Sequence, residues 1–157
     1  AVTELRTATH KPVTTTECLA DYFRDDRLRT VGDWIFPNAH PYFARIKEPY
    51  AAVGWTKTAF ERLQHLSDRP VIFKEVGLPT AGDPAVNEAI QETYYQALWQ
   101  TDVPFAFFTA FDLPWKRSTA QAHLGANLNP EPYWGLFQGD RTPKKAAAVL
   151  QRSCLAP

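Results

Sequence analysis

Four polar side chains close four short apolar runs: Glu17 after Lys11-Pro-Val-Thr-Thr-Thr, His40 after Asp33-Trp-Ile-Phe-Pro-Asn-Ala, Glu75 after Pro70-Val-Ile-Phe-Lys, and Asp112 after Val103-Pro-Phe-Ala-Phe-Phe-Thr-Ala-Phe. A carboxylate in such a place can act as a nucleophile or as an acid–base group, and a histidine beside it can orient it or share its charge. The other common kinds of site are missing: there is no Gly-rich phosphate loop, no Ser-His-Asp arrangement and no metal-ligand spacing, so neither a cofactor nor a metal is implied. Aromatic residues are plentiful, with 5 Trp, 6 Tyr and 10 Phe. Flat rings serve either as core or as platforms for sugar faces, and composition does not separate the two uses.

The elements that must position these groups repeat one order: apolar run, polar loop, helical pattern. Cys18 to Arg29 reads as a helix with Leu19, Tyr22 and Phe23 on one face. Tyr50 to Leu66 reads as a second, Asn87 to Thr101 as a third with Ile90, Tyr94, Ala97 and Leu98 at helical spacing, and Pro143 to Arg152 as a closing one. Continuous apolar runs separated by helices fit a parallel sheet covered by helices, with the strand ends gathered on one side where sites are built. Ala1 to Thr9 reads as the tail of a preceding helix. The expectation is therefore an α/β chain, residues 1–157 as a single (βα)4 domain, half of a (β/α)8 barrel. The 19-residue loop from Trp115 to Tyr133 is long for a simple connection and is a candidate site wall.

A chain of 157 residues can bury a core of its own. Its formal net charge is zero with no basic run, which argues against a nucleic-acid partner. The longest apolar stretches are too short to span a bilayer. Cys18 and Cys154 are too few for a disulfide framework; they form one bridge or stay as two separate thiols. No signal peptide and no Met is present, so the chain reads as cut from something longer or processed.

Five segments in order, Pro12–Glu17, Asn38-Ala-His-Pro-Tyr-Phe43, Lys74-Glu-Val-Gly-Leu-Pro-Thr80, Ala110-Phe-Asp-Leu-Pro-Trp-Lys116 and Trp134-Gly-Leu-Phe137, resemble glycoside hydrolase family 17, the β-1,3-glucanase and glucanosyltransferase type. The resemblance implies strands five to eight of that family's barrel and a retaining mechanism with Glu75 as nucleophile. A carboxylate at a strand end can attack an anomeric carbon and form a glycosyl-enzyme. It also implies a sugar-lined site drawing on His40, Tyr42, Phe111, Asp112, Trp115, Lys116, Glu131 and Trp134, with Lys116 near the nucleophile and Tyr133 a further platform. Lys74, one residue before Glu75, is expected to alternate to the opposite side. The implied substrate is β-glucan, and a polymeric substrate implies a secreted, periplasmic or cell-surface protein.

Thr109 and Leu113 depart from acidic positions of the family, which alters the expected polarity of the site. The family's proton donor, a glutamate of an Asn-Glu pair at the end of strand four, has no counterpart before Val13; the Asn87-Glu88 pair lies at a helix start. Three readings follow. Two copies close one barrel as a homodimer, or the missing N-terminal half completes it; Glu17 substitutes as the acid; or the chain is a sugar-binding remnant that cleaves nothing.

Overall fold

The computed structural model describes residues 1–118, 129–148 and 150. Its elements are α1 (Val2–Thr9), α2 (Leu19–Arg24), α3 (Leu28–Val31), β1 (Asn38–Ala39), a 3-10 turn (Pro41–Ala44), α4 (Pro49–Leu66), β2 (Phe73–Val76), α5 (Glu88–Trp99), β3 (Phe105–Phe107) and a second 3-10 turn (Glu131–Tyr133). β1, β2 and β3 form a parallel sheet in that order.

The two long helices start where their caps dictate. Glu48 accepts the Tyr50 and Ala51 N–H groups, with Pro49 in the first turn, and Asn87 accepts the Ile90 N–H. Both helices cover one face of the sheet: Phe73 meets Phe60 of α4, while Phe105 and Phe107 meet Tyr95 and Trp99 of α5. The core lies in this layer, with Tyr94, Tyr95, Leu63, Leu98, Phe73 and Val76 fully buried. On the opposite face Ile72 and Ala106 are exposed.

Four expected elements differ. The run 11–17 forms no regular strand. It lies along β1 through an isolated parallel bridge, Cys18 to Asn38, and through Asn38 N–H to Glu17 carbonyl at 3.0 Å. Side chains replace ladder bonds there: the Asp33 carboxylate accepts the Val13 N–H and the Thr14 hydroxyl donates to the Trp34 carbonyl, and Pro12 has no N–H to give. The helix expected over 18–29 is broken at Asp25, whose carboxylate accepts the Arg27 backbone N–H at 3.0 Å and competes with the helical bond. The fourth run divides: 105–107 pairs with β2, whereas Thr109 to Asp112 pairs with Trp134 to Phe137. The closing helix begins later than expected, with 147, 148 and 150 helical, because Pro143 and Lys144 first pair with Phe137 and Leu136.

β2 carries one residue more than both neighbours. Ile35 bridges Val71 and Asn38 pairs Glu75, three residues against four; Phe73 and Val76 pair Phe105 and Phe107, three against two. The extra residue is a bulge at 74–75. In a regular strand Glu75 would share the helix-covered face with Val71 and Phe73; the bulge turns it to the open face and leaves Val76 in the core.

Candidate active site

Glu75 stands at the open end of β2, level with Asn38 of β1. Its Oε2 lies 3.3 Å from His40 Nε2 and its Oε1 lies 2.9 Å from Lys74 Nζ. Lys74 therefore does not point away: the bulge places residues 74 and 75 on the same side, and a long flexible stem does the rest. The hydrogen bond from His40 holds the Glu75 carboxyl down to about 2, burial opposing it and Lys74 reinforcing it. At neutral pH Glu75 is an anion able to attack an electrophile and unsuited to donating a proton.

His40 sits in a cage of rings, with Phe108 and Trp134 at 5.0 Å and Phe43 at 5.9 Å between centroids. Gly77 makes room behind the site: a Cβ there would fall 2.5 Å from the Phe108 carbonyl oxygen and 2.9 Å from the Tyr95 hydroxyl. That hydroxyl donates to the Val76 and Phe108 carbonyls at 2.9 and 3.2 Å, tying the end of β2 to the end of β3.

The other residues singled out from sequence divide into those beside this centre and those apart from it. Trp134 is beside it but only 1 % exposed, so it packs His40 rather than offering a platform. Tyr42 donates its hydroxyl to Asp83; burial, with the Asp83 charge beside it, pushes that hydroxyl up to about 12. Lys116 pairs with Glu131 at 3.2 Å, its ammonium 5.0 Å over the Phe108 ring; the cation on Glu75 is Lys74. Asp112 is locked, its Oδ1 accepting the Gly135 N–H at 2.9 Å and the Lys144 ammonium at 2.6 Å. Phe111 packs on Phe137, and Trp115 is 61 % exposed. Tyr133 takes a hydrogen bond from Arg117. Glu17 is exposed; Cys18, not Glu17, is level with Asn38 and Glu75, and two strand spacings, about 9.5 Å, separate that edge from β2. Most of the long loop, residues 119–128, and Cys154 lie outside the described residues, as does the Cys18–Cys154 pairing; Cys18 itself is exposed.

Sequence reasoning missed four residues. Lys74 and Asp83 flank the site, and Phe43, 52 % exposed, offers a ring beside His40 where Trp134 does not. Lys144 is the buried partner of Asp112 and Thr80. Only Asp83 left a signal, an Asp before Pro in a Gly-containing turn. Beside His40 a cleft of about 480 Å³ opens, lined by Asn38, Phe43, Trp55, Phe23 and Leu19 among others, within the size range of small-ligand pockets.

The chain is similar to the proteins named probable glucan endo-1,3-beta-glucosidase btgC of Aspergillus flavus and Aspergillus oryzae, 27% identical to each over 162 residues, which is 88% of this chain and 22% of theirs. Among solved structures it resembles the glycoside hydrolase family 17 beta-1,3-glucanosyltransferase from Rhizomucor miehei (TM-score 0.73, 21% identity, 92% of this chain and 53% of that one). An endo-laminarinase from Formosa is similar in fold at TM-score 0.73, 14% identity, 98% of this chain and 51% of that one. The chain thus spans about a fifth of its curated relatives and half of these solved enzymes. The profile of the BtgE/BtgC glycoside hydrolase domain matches residues 1–135, and the chain belongs to that family.

Proposed function

We propose that this chain is a (βα)4 half of a (β/α)8 glycoside hydrolase barrel, a single domain that acts on β-1,3-linked glucan by retention with Glu75 as nucleophile. The observation that carries the reading is the Glu75 carboxylate, turned by the bulge to the open end of the sheet and kept ionised by His40 and Lys74. In the first half of such a reaction Glu75 attacks the anomeric carbon, and in the second half water or another sugar releases the glycosyl group. The exposed sheet face around Ile72 and Ala106 is the inner wall that a complementary half would cover, supplied by a preceding half or by a second copy. That half also brings the proton donor: a retaining pair needs carboxyls about 5–5.5 Å apart, and the charges acting on Glu75 among the described residues are those of Lys74 and His40. Phe43, Trp115 and His40 line the sugar path, with the Lys116–Glu131 pair at its wall. A polymeric glucan substrate places the protein outside the cell or at its surface; among the described residues no helix is long and apolar enough to cross a membrane.

The separation of Glu17 from Glu75 favours one second reading, that the chain alone binds glucan and cleaves none. Turnover on β-1,3-, β-1,4- and mixed-linkage glucans, with wild type, Glu75→Gln and Glu17→Gln and molar mass recorded together, decides. The proposal expects turnover on β-1,3-glucan from the closed barrel, lost in Glu75→Gln and retained in Glu17→Gln. Turnover that survives Glu75→Gln refutes it; sugar binding without turnover from a monomer selects the second reading.

A further inference from the structure

The turn after β1 and the loop after β2 are joined by one carboxylate. Asp83 Oδ2 accepts the Tyr42 hydroxyl at 2.8 Å and the Lys47 ammonium at 2.5 Å. Its Oδ1 accepts the Ala85 N–H at 2.8 Å and its carbonyl the Val86 N–H at 3.2 Å, so Asp83 is fixed on its own loop. That loop is itself seated. Gly82 has φ +85°, and a Cβ there would meet the Asn129 backbone at 2.4 Å. The Thr80 N–H and hydroxyl both donate to the Tyr133 carbonyl, at 2.9 and 3.0 Å, and Lys144 donates to the Thr80 hydroxyl at 2.7 Å.

On the other side of the carboxylate, Tyr42 lies two residues beyond His40, in the 3-10 turn that His40 caps; the Phe43 N–H donates to the His40 carbonyl at 3.2 Å. The Tyr42 ring is 5.9 Å from Trp134, and Trp134 is 5.0 Å from His40. Any shift of the turn therefore moves His40 both through the backbone and through its ring contacts.

We infer that Asp83 is a positioning residue for Glu75: by pinning the turn at 41–47 to the loop after β2, it holds His40 where its Nε2 meets the Glu75 carboxylate. The inference rests on the reading of Glu75 as the reacting group. It gives Tyr42 a part different from sugar binding, since its hydroxyl is taken by Asp83. Glu75 faces Lys74 on its own strand and His40 from the residue after β1; Lys116 and Glu131 pair with each other, with the Lys116 ammonium over the Phe108 ring, and Asp83 faces Lys47 and Tyr42. Releasing the pin leaves Lys74 in place and removes the His40 hydrogen bond, the larger of the two influences that lower the Glu75 carboxyl.

Asp83→Ala removes both bonds, and Tyr42→Phe removes one while leaving Lys47 on Asp83. The Glu75 carboxyl is followed by 13C NMR across the acid range in wild type and both variants, with folding checked by circular dichroism, and kcat and KM are measured on the same samples. The expected result is a Glu75 midpoint raised from about 2 by about one unit in Asp83→Ala and about half that in Tyr42→Phe, with kcat down about tenfold and KM nearly unchanged. An unmoved midpoint in folded Asp83→Ala overturns the inference. Should that variant not fold, Tyr42→Phe decides by the same midpoint. The titration needs no turnover, so an inactive wild type whose midpoint still responds would count against the enzymatic reading and leave the role of Asp83 standing.

Discussion

Asp112 tests whether the strand ends of this protein serve chemistry or architecture. Its position in the Ala110–Lys116 motif suggests a sugar contact, yet the structure gives its Oδ1 to the Lys144 ammonium at 2.6 Å and the Gly135 N–H at 2.9 Å. The side chains are 3% exposed for Lys144 and 11% for Asp112, so Lys144 has no water to fall back on and Asp112 has little. Lys144→Met removes one partner and strands the other. An uncompensated buried charge costs about 3–5 kcal/mol, and because Asp112 keeps the Gly135 N–H and some solvent, the lower end applies. For a chain of this size that lowers Tm by about 6–12 °C. Asp112→Asn should cost a similar amount by stranding Lys144. The double variant Lys144→Met/Asp112→Asn leaves no buried charge and should recover all but about 1–2 kcal/mol, so the two single losses will not add. The assay is thermal unfolding by circular dichroism at neutral pH, with laminari-oligosaccharide affinity measured by calorimetry on the folded variants. Affinity should be unchanged in Asp112→Asn. A Tm within about 2 °C of wild type, together with lost affinity, would refute the argument and return Asp112 to the sugar.

Two further outcomes follow from the same geometry. Glu75 has an ordinary value of 4.5 and is held at about 2 in the fold, so it adds stability above pH 4.5 that is lost as pH falls through about 2. The contribution is at most about 3 kcal/mol for a half-buried group. The stability difference between wild type and Glu75→Gln should therefore shift against wild type on acidification over that window, and a difference independent of pH would contradict it. Gly77→Ala places a methyl 2.5 Å from the Phe108 carbonyl and 2.9 Å from the Tyr95 hydroxyl. It should cost about 1–3 kcal/mol in chemical denaturation, and a neutral substitution would mean that β2 and β3 can separate there.

What could be read from the chain, and what could not, divides by how local the determinant is. α4 and α5 were legible because Glu48-Pro49 and Asn87 mark their starts and the apolar spacing carries them on. Parallel order followed from the alternation of runs and helices, and Glu75 and His40 stood out as strand-end polar groups. The bulge at 74–75 is a property of three strands in register, so the direction of Lys74 could not be read from Lys74 itself. Trp134 looks the same in sequence whether it faces a sugar or is sealed beneath Phe43 and His40. The Lys144–Asp112 pair joins residues 32 apart with no periodicity between them. Asp25 broke a helix that apolar spacing alone continues, through one carboxylate–backbone bond.

The most direct test of the central claim is covalent trapping of Glu75 with a 2-deoxy-2-fluoro-laminaribiosyl donor carrying a dinitrophenolate leaving group, read by peptide mass spectrometry. That leaving group departs without protonation, so trapping needs the nucleophile and not the proton donor. The account predicts one disaccharide adduct on the peptide that contains Glu75, and none in Glu75→Gln. An adduct on Glu17 or Glu131 instead, or turnover of the donor with Glu75 unmodified throughout, would contradict it.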